Sequence, residues 1–298
     1  MRQSKIAKDH TKWLLGKQSQ KDVAIKDKRS ARQFRRKIDW CWNTPSLVRP
    51  ILTGEIHHTV IIDGIRIGSC VCLIARTTKH VIGWEWVPYE SSQYWSQLIE
   101  IIPAPTYIVC DGQKGMLLAL KTLWPNTTLQ RCRFHVWLNV KTKLTLHPES
   151  IAGQQLLVLA RELLQVHSKR DARIWKNKLK HWYRKHSIYI KQRTINLKPT
   201  KGQRKWRYTH SRTRSAYRQL YALRDDLLRS SYRPHSSLPR NTNFLEGGIN
   251  SPLRTLIKNH RGMSYEHQIK LIERYLYSRT EANEIQSNLG QKAPRKTF

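Results

Sequence analysis

Two apolar runs of strand-forming residues each lead into an aspartate followed by a glycine, at Asp63-Gly64 and at Asp111-Gly112. The first run, from Thr59 to Ile62, is rich in β-branched residues, and the second, from Tyr107 to Cys110, is short and apolar. Both runs are therefore predicted to be buried strands. An acid at the end of such a strand lies at the rim of a sheet, where sites are often built. Asp-Gly is also a strong turn dipeptide, so Asp63-Gly64 taken alone could equally mark a hairpin.

The segments around the two aspartates alternate between strand and helix patterns. Three further strands and two helices are predicted, at Ile67 to Ala75, Val81 to Val87, Thr127 to Gln130, Ser92 to Ile102 and Gln113 to Leu123. The order β-β-β-α-β-α-β is that of a ribonuclease-H-like α/β fold with a mixed five-stranded sheet. Because strands one and four are neighbours in that order, Asp63 and Asp111 are expected to meet at one rim.

Charge divides the chain into a neutral block between strongly basic ones. The whole chain has 55 Lys and Arg against 20 Asp and Glu, a net charge of +35. Residues 57–130 are neutral, whereas residues 1–50 carry +10 and residues 141–235 carry +19. This excess indicates a polyanionic partner, nucleic acid before membrane. Since neither a membrane-length apolar run nor a secretory signal is visible, and the five cysteines form no Cys-x-x-Cys pair, we expect a cytoplasmic protein with reduced thiols.

Residues 1–50 are predicted to form three short helices. Ser19 and Ser30 are suitable N-caps for the second and third, and the third has one apolar face. The candidate DNA-binding residues on its other faces are Arg32, Arg35 and Arg36. Two interpretations remain open. The segment is either a helix-turn-helix-like unit whose last helix enters a major groove, or a basic helical arm that covers the core.

Residues 141–235 are predicted to be an all-helical basic insertion. Its amphipathic helices are expected at Ile151 to Val166, Asp171 to His186 and Arg214 to Leu228, with a tryptophan stripe in the core. An exposed loop precedes the third helix. The candidate DNA-binding residues of this region are Arg204, Lys205, Arg207, Arg212 and Arg214. We expect them to contact phosphates of the flanking duplex, although a solvated basic face that touches nothing is the alternative.

A third candidate acid, Glu246, lies in a string that has helical apolar spacing but contains Gly247 and Gly248. Two glycines in a helix cost roughly 1 kcal/mol each relative to alanine, so they suggest close approach of a strand, a ligand or a DNA backbone. The nearby candidates for DNA contact are Asn250, Arg254, Lys258 and Arg261. A helix from Tyr265 to Tyr277 is expected to close this region, and residues 281–298 are expected to form a polar tail.

Two carboxylates that meet without a basic partner repel each other, and a divalent cation relieves that repulsion. Oxygen ligands favour Mg²⁺, or alternatively Mn²⁺. Two such ions can clamp the attacking and leaving oxygens of a phosphodiester. Cys132 and His135 supply only two ligands, whereas a closed zinc site needs four. No zinc is therefore expected, and this pair is interpreted as structural or as support for Asp111.

Four short motifs occur in the order found in one family. They are Ile62-Asp63-Gly64, the segment from Cys110 to Gly115, the segment from Arg131 to His135, and the segment from Asn243 to Asn250. With them the chain resembles the Mutator-like transposases of bacterial insertion sequences, within the DDE superfamily, over about residues 55–140 and 236–275. The resemblance implies that Asp63, Asp111 and Glu246 bind two catalytic metal ions. It also implies a long helical insertion between the second Asp and the Glu.

The sequence therefore predicts a DNA transposase of a bacterial insertion sequence that cleaves element ends and transfers strands in a metal-dependent reaction. Its partners would be the terminal inverted repeats and the target DNA, both double-stranded, and further copies of the chain in a nucleoid-associated synaptic complex. The predicted domains are a DNA-binding segment at 1–50, a catalytic domain at 51–140 plus 236–280, and the insertion at 141–235. The alternatives are a structure-specific nuclease or resolvase of the same fold and a non-catalytic, decayed DNA-binding protein.

Overall fold

Five strands form the central sheet of this computed structural model, which describes residues 2–16, 18–43, 54–196, 205–232 and 238–281. The strands are β1 (Thr59–Ile67), β2 (Cys70–Arg76), β3 (Val81–Val87), β4 (Tyr107–Cys110) and β5 (Thr128–Arg131). Their order is β3-β2-β1-β4-β5. The first three pair antiparallel, and β4 and β5 run parallel to β1. The predicted mixed α/β sheet is confirmed, with β1 and β4 as neighbours.

Strand β1 does not end at Asp63, as the sequence suggested, but continues through Asp63-Gly64 to Ile67. Asp63 pairs with Ile74 of β2 in the antiparallel register. The turn comes later, at Gly68, whose φ of +57° favours glycine. The interpretation of Asp63-Gly64 as a strand end or hairpin is therefore wrong. The strand continues because its later isoleucines are also buried against the core.

Alternate residues of β1 pack into different cores on the two faces of the sheet, as the two-residue period of a strand requires. Val60 and Ile62 face the helices α4 (Ser92–Glu100) and α5 (Lys114–Leu123). Ile61 and Ile65 face a second core, to which the N-terminal helices and the last helices of the described chain contribute. The sheet is thus covered on both faces, and its functional side chains lie at an edge.

The N-terminal segment forms the three predicted helices, α1 (Arg2–Leu14), α2 (Gln20–Lys26) and α3 (Ala31–Trp42). Ser19 and Ser30 form capping boxes at α2 and α3. These helices pack against the C-terminal region, where the ring of Trp42 stacks on His267 with ring centroids 4.0 Å apart. This packing is expected of a basic helical arm that covers the core. Arg32, Arg35 and Arg36 remain exposed on α3, as a helix that contacts DNA would require. Both interpretations of this segment therefore stay open.

The insertion has its own helical core. Its helices are α6 (Arg133–Leu144), α7 (Ile151–Glu162), α8 (Lys169–Lys191) and α9 (Ser211–Leu227), with a 3₁₀ turn after α7. Trp175 and Trp182 are buried in this core, as predicted. Helix α6 was not predicted, and it crosses the expected domain boundary at residue 140.

The insertion is not all-helical, because β6 (Arg193–Ile195) and β7 (Trp206–Tyr208) pair antiparallel. The prediction that residues 141–235 contain no strand is wrong. Alternating aromatic and basic residues stabilise this short ribbon. The guanidinium carbon of Arg193 lies 4.0 Å from the ring centroid of Trp206, and that of Arg214 lies 3.8 Å from the ring centroid of Tyr208. Such stacks are worth about 0.5–1 kcal/mol each at exposed positions.

The last elements bring the chain back to the sheet. They are α10 (Asn243–Leu245), a π-helical turn (Glu246–Asn250), α11 (Ser251–Asn259) and α12 (Tyr265–Tyr277). The bounds of α12 are those predicted from the sequence. The predicted polar tail lies outside the described residues, apart from Glu281. Among the helices of the described ranges, none combines the length and the apolarity needed to cross a membrane.

Candidate active site

Parallel pairing places three residues of the site side by side. Strand β1 pairs with β4 up to Ile61 and Val109, and β4 pairs with β5 up to Cys110 and Arg131. Continuing the same registers sets Asp63 opposite Asp111, and Asp111 opposite Cys132. The two aspartates thus meet at one edge of the sheet because β4 and β5 both stop there while β1 continues.

Glu246 reaches the same edge on the π-helical turn, a rare geometry that is frequent at functional sites. The buried side chain of Arg76 holds the turn against the end of β2. Arg76 Nη1 donates to the carbonyl oxygen of Phe244 at 2.5 Å, and its other nitrogens donate to carbonyls of the loop after β2. A Cβ at Gly248 would lie 3.0 Å from Arg76 Nη1. The close approach of Arg76 therefore explains the glycine at position 248. A Cβ at Gly247 would meet no atom within 4 Å, so packing does not explain that glycine.

Asp63, His135 and Glu246 form the tightest group of potential metal ligands among the described residues. One ligand atom from each lies within 4.8 Å of the others. Asp63 Oδ1 accepts a hydrogen bond from the Gly64 N–H, but Oδ2 is buried and has no hydrogen-bond partner among the described residues. Burial raises the pKa of Asp63 to about 7, opposed by the charge of His135 and reinforced by Asp111 and Glu246. An unpaired buried carboxylate oxygen of this kind suits a cation.

His135 lies on the first turn of α6 and links Cys132 to the acids. Its Nε2 lies 3.9 Å from Glu246 Oε1, and its Nδ1 lies 3.4 Å from the Thr242 hydroxyl. Burial alone would lower its pKa, but the Cys132 thiol, Asp63 and Asp111 outweigh burial and raise it to about 9. Burial raises the pKa of Cys132, but hydrogen bonds from His135 and Thr242 outweigh burial and lower it. Cys132 and His135 thus form a coupled pair, in which the histidine lowers the pKa of the thiol and the thiol raises the pKa of the imidazole.

Asp111 lies beside this group but is not part of it. Its charge contributes to the raised pKa values of Asp63 and His135, while its Oδ1 accepts from the Gln113 N–H at 3.0 Å. Arg131 Nη2 donates to the Asp111 carbonyl oxygen at 2.6 Å. Gly112 has φ +78°, and a Cβ there would overlap the Arg131 guanidinium. The glycine therefore allows Arg131 to fix the backbone that carries Asp111.

Glu90 is a fourth acid at this edge, and the sequence reasoning missed it. Its carboxylate lies over Gly64, so that a Cβ at Gly64 would come within 2.9 Å of Glu90 Oε1. Burial, followed by the charge of Asp111, raises the pKa of Glu90. The only sequence signal was indirect: a glycine in the middle of a buried strand indicates close approach of another group. Gly64 thus has a packing role in place of the predicted turn.

The candidate DNA-binding residues occupy several places. Lys205, Arg207, Arg212, Lys258 and Arg261 are exposed, as are the three arginines of α3. Arg214 is half-buried under Tyr208. Arg204 lies outside the described residues. Arg254 is exposed, but its Nη1 lies 3.5 Å from Glu246 Oε2, so its side chain reaches the acids of the site.

One predicted contact residue lies in the interior. Asn250 is 1% exposed, which leaves it no surface for the DNA contact predicted from the sequence. Both of its side-chain polar atoms lack partners among the described residues.

His260 is also buried, with its Nε2 2.9 Å from the Leu14 carbonyl oxygen. That histidine connects α11 to the N-terminal helices.

The model of the Mutator family of transposases matches residues 66–223, just over half of the chain. The chain belongs to the Mutator family of transposases. The matched range contains Asp111, Cys132 and His135 together with most of the insertion, whereas Asp63 precedes it and Glu246 follows it. A comparison with curated protein sequences found no match.

Because transposases act on DNA, membership in the Mutator family implies that this protein binds DNA. The segment from Arg131 to His135 connects the sheet to the helical insertion. Arg133, which is 1% exposed, donates to the carbonyl oxygen of Leu227 and to the hydroxyls of Ser230 and Ser231. It therefore ties the start of α6, directly after β5, to the end of α9 and the residues that follow it. The insertion is thus anchored at the active-site edge of the sheet.

Proposed function

We propose that this transposase cleaves DNA at the ends of a bacterial insertion sequence and joins the freed 3′ ends to target DNA. The observation that supports this most is the meeting of Glu246 and Asp63 at the edge where Asp111 stands in register with Asp63. Carboxylates from a strand, from the loop after a parallel strand and from a returning helix converge there despite their separation in sequence. This arrangement supports the DDE site that the sequence predicts.

The residues fit divalent metal ions. Asp63 presents an orphaned buried oxygen, Glu246 is half-exposed beside it, and Asp111 adjoins them. In the proposed site these three acids hold two Mg²⁺, or Mn²⁺ in its place, because hard oxygen ligands suit such ions. When bound, the ions would stabilise the attacking and leaving oxygens of an in-line phosphodiester displacement.

The chain's own residues have distinct roles in this proposal. His135, positively charged through its contact with Cys132, orients Glu246 towards Asp63. Arg254 approaches Glu246 from the exposed side, where its guanidinium could bind a phosphate of the DNA end. Arg76 keeps the Glu246 turn against β2. Since water and then the 3′-hydroxyl are the nucleophiles, no Ser or Tyr nucleophile is required.

The DNA in this proposal is double-stranded and lies over the basic surfaces. The neutral sheet core between basic blocks supports such a division, because phosphate contacts position a duplex without reading its sequence. Two or more copies of the chain would be needed to bring two element ends together. Both the oligomer and the bacterial nucleoid location remain parts of the proposal.

A strand-transfer assay tests this function directly. The purified chain is incubated with Mg²⁺, a labelled duplex carrying the ends of its own element, and a target plasmid. Joined product supports a transposase, and cut product without joining indicates the nuclease or resolvase alternative. Neither product, with duplex binding retained, indicates a non-catalytic DNA-binding protein. Substitution of Glu246 by Gln provides the matched control, since it keeps the size of the side chain.

A further inference from the structure

A groove of about 740 Å³ runs between α8 and α9, away from the acids of the active site. Its lining combines tyrosines with basic residues: Tyr183, Tyr217 and Tyr221, and Lys176, Lys180, Arg214, Arg218 and Arg224. No Asp or Glu is among the described residues that line it. A basic groove with an aromatic floor is the usual composition of a site for single-stranded nucleic acid.

The tyrosines form a continuous stack across the two helices. Tyr183 of α8 stacks on Tyr217 of α9 with ring centroids 5.0 Å apart, and Tyr217 stacks on Tyr221 with centroids 5.7 Å apart. Tyr217 is buried and belongs to the helical core, whereas Tyr221 is 50% exposed. The stack therefore starts in the core and ends at the surface with Tyr221, where a base would join it by displacing the guanidinium of Arg224 from the ring.

The basic residues of the groove differ in how far they are already paired. Lys176 donates to Asp225 Oδ1 at 2.7 Å, and Arg224 lies over the ring of Tyr221 with its Cζ 4.2 Å from the centroid. Lys180 and Arg218 are exposed, and neither makes a hydrogen bond or an ion pair to another described residue. These two are the charges most available to a phosphate.

The tyrosines of the groove favour a single strand over a duplex. Tyr183 packs directly on Tyr217, and this stack leads to the exposed Tyr221. Unpaired bases can stack on such aromatic side chains, whereas the bases of a duplex are already paired and stacked on one another. Along α9, Arg214 and Arg224 are ten positions apart, which places them about 15 Å apart along the helix axis.

The C-terminal end of α9 is hydrogen-bonded to β5 and to the start of α6. The carbonyl oxygen of Leu227, at the end of α9, accepts hydrogen bonds from Gln130 Nε2 at 3.0 Å and from Arg133 Nε at 2.7 Å. Gln130 and Arg133 flank Cys132 in the chain, at the edge of the sheet where the acids meet.

We propose that the α8–α9 groove binds a short stretch of unpaired DNA, with a base on Tyr221 and phosphates on Lys180 and Arg218. This inference rests on the proposed function in naming the strand, which would be one strand released at the cleaved element end. The groove itself requires no catalysis, so its binding can be measured separately.

The test uses the full-length chain in a metal chelator and follows the anisotropy of labelled oligonucleotides. A mixed-sequence single strand of about 15 nucleotides is compared with the corresponding duplex. Two groove variants are made, Tyr221→Leu and the double variant Lys180→Gln with Arg218→Gln. The matched control is Lys178→Gln with Lys185→Gln, which removes the same charge from α8 but on the side that faces α7.

We expect Tyr221→Leu to weaken single-strand binding by about tenfold, as loss of one base stack does, without changing its salt dependence. The double charge variant should make the plot of log affinity against log salt shallower by about 1.4, since each single-strand phosphate contact contributes about 0.7. The control variant and all duplex affinities should stay as in the wild type.

Three results would overturn the inference: unchanged single-strand affinity in both groove variants, an equal loss in the control, or an equal loss of duplex binding. Thermal unfolding of each variant shows whether the fold is retained, and exposed Tyr221 is not expected to disturb it. A chain that binds single strands through this groove but neither cuts nor joins DNA would overturn the proposed function and leave this inference intact.

Discussion

His135 Nε2 lies 3.9 Å from Oε1 of Glu246, although the insertion separates the two residues in the chain. His135 follows β5 directly, and Glu246 lies on the segment that returns from the insertion. The imidazole has a pKa of about 9 because Cys132, Asp63 and Asp111 outweigh the effect of burial. A positively charged histidine therefore lies close to both Glu246 and Asp63.

Removal of any one of the three acids should abolish DNA cleavage. We expect Asp63→Asn, Asp111→Asn and Glu246→Gln to reduce Mg²⁺-dependent cleavage to background, because the neutral side chains lose the charge that binds the metal. Duplex affinity should be retained, as measured by anisotropy. Glu100→Gln, at an exposed end of α4, is the matched control and should cleave normally. Normal cleavage by one of the three variants would show that its acid is not a ligand.

The carboxylate of Asp63 should destabilise the metal-free fold at high pH. Burial raises its pKa from 3.8 to about 7, so the folded state holds a proton that the unfolded state has already lost in that interval. The free energy of unfolding therefore falls as pH rises from about 4 to about 7. In chelator, Asp63→Asn should be more stable than the wild type at pH 8, by up to about 4 kcal/mol. Urea unfolding at pH 8 and pH 4 measures this, and a difference that does not shrink at pH 4 would contradict it.

His10 should make the N-terminal region sensitive to acid. It is fully buried beside Trp13 and Trp42, and neither ring nitrogen has a hydrogen-bond partner among the described residues. Burial, followed by the charges of Arg274 and His267, lowers its pKa from 6.5 to about 3. The unfolded state then binds the extra proton between these values, so stability is lost as pH falls below 6.5, by about 2 kcal/mol at pH 5.

His10→Phe should remove that loss, because it keeps an aromatic ring and cannot titrate. Urea unfolding of the wild type and the variant at pH 7 and pH 5 measures the difference. The exposed His147→Gln is the control and should follow the wild type. The explanation fails if His10→Phe shows the same loss between the two pH values as the wild type.

Arg76 should be required to position Glu246. Its guanidinium donates to four backbone carbonyls, of Thr77, Thr78, Lys79 and Phe244. Arg76→Gln should lower the free energy of unfolding by about 3 kcal/mol, because several buried carbonyls lose a charged donor. It should also weaken Mn²⁺ binding, measured by electron paramagnetic resonance. Arg279→Gln is the control on the same face, since Arg279 lies over the ring of Tyr275. Unchanged Mn²⁺ affinity in a folded Arg76→Gln variant would limit Arg76 to a structural role.

Three basic residues, two just before β7 and one within it, should supply duplex affinity without sequence preference. Replacing Arg204, Lys205 and Arg207 together by Gln should weaken binding to all duplexes alike. Each phosphate contact contributes about 0.9 to the slope of log affinity against log salt, so the slope should become shallower by about 2.7. Lys178→Gln with Lys185→Gln serves as the control. A triple variant with wild-type affinity and slope would indicate that these residues form a solvated face only.

Local patterns in the sequence were enough to predict most elements. The capping serine and the apolar spacing of α3 predicted Ala31 to Trp42, and the spacing of α12 predicted Tyr265 to Tyr277, both as observed. The apolar runs before Asp63 and Asp111 predicted two strands, and the ribonuclease-H-like order of elements predicted that these strands are neighbours, as observed. These predictions succeed because strand and helix periods, caps and turns act between residues close in the chain.

Only the tertiary structure decided how these elements meet. The sequence did not reveal that Glu90 covers Gly64, so it suggested a turn where β1 continues. It also did not reveal that His135 faces Glu246, or that cations stacked on Trp206 and Tyr208 stabilise a ribbon in the insertion. Each of these contacts joins segments that are separated in the chain. Their formation depends on packing and shared burial across the whole fold, which no local pattern contains.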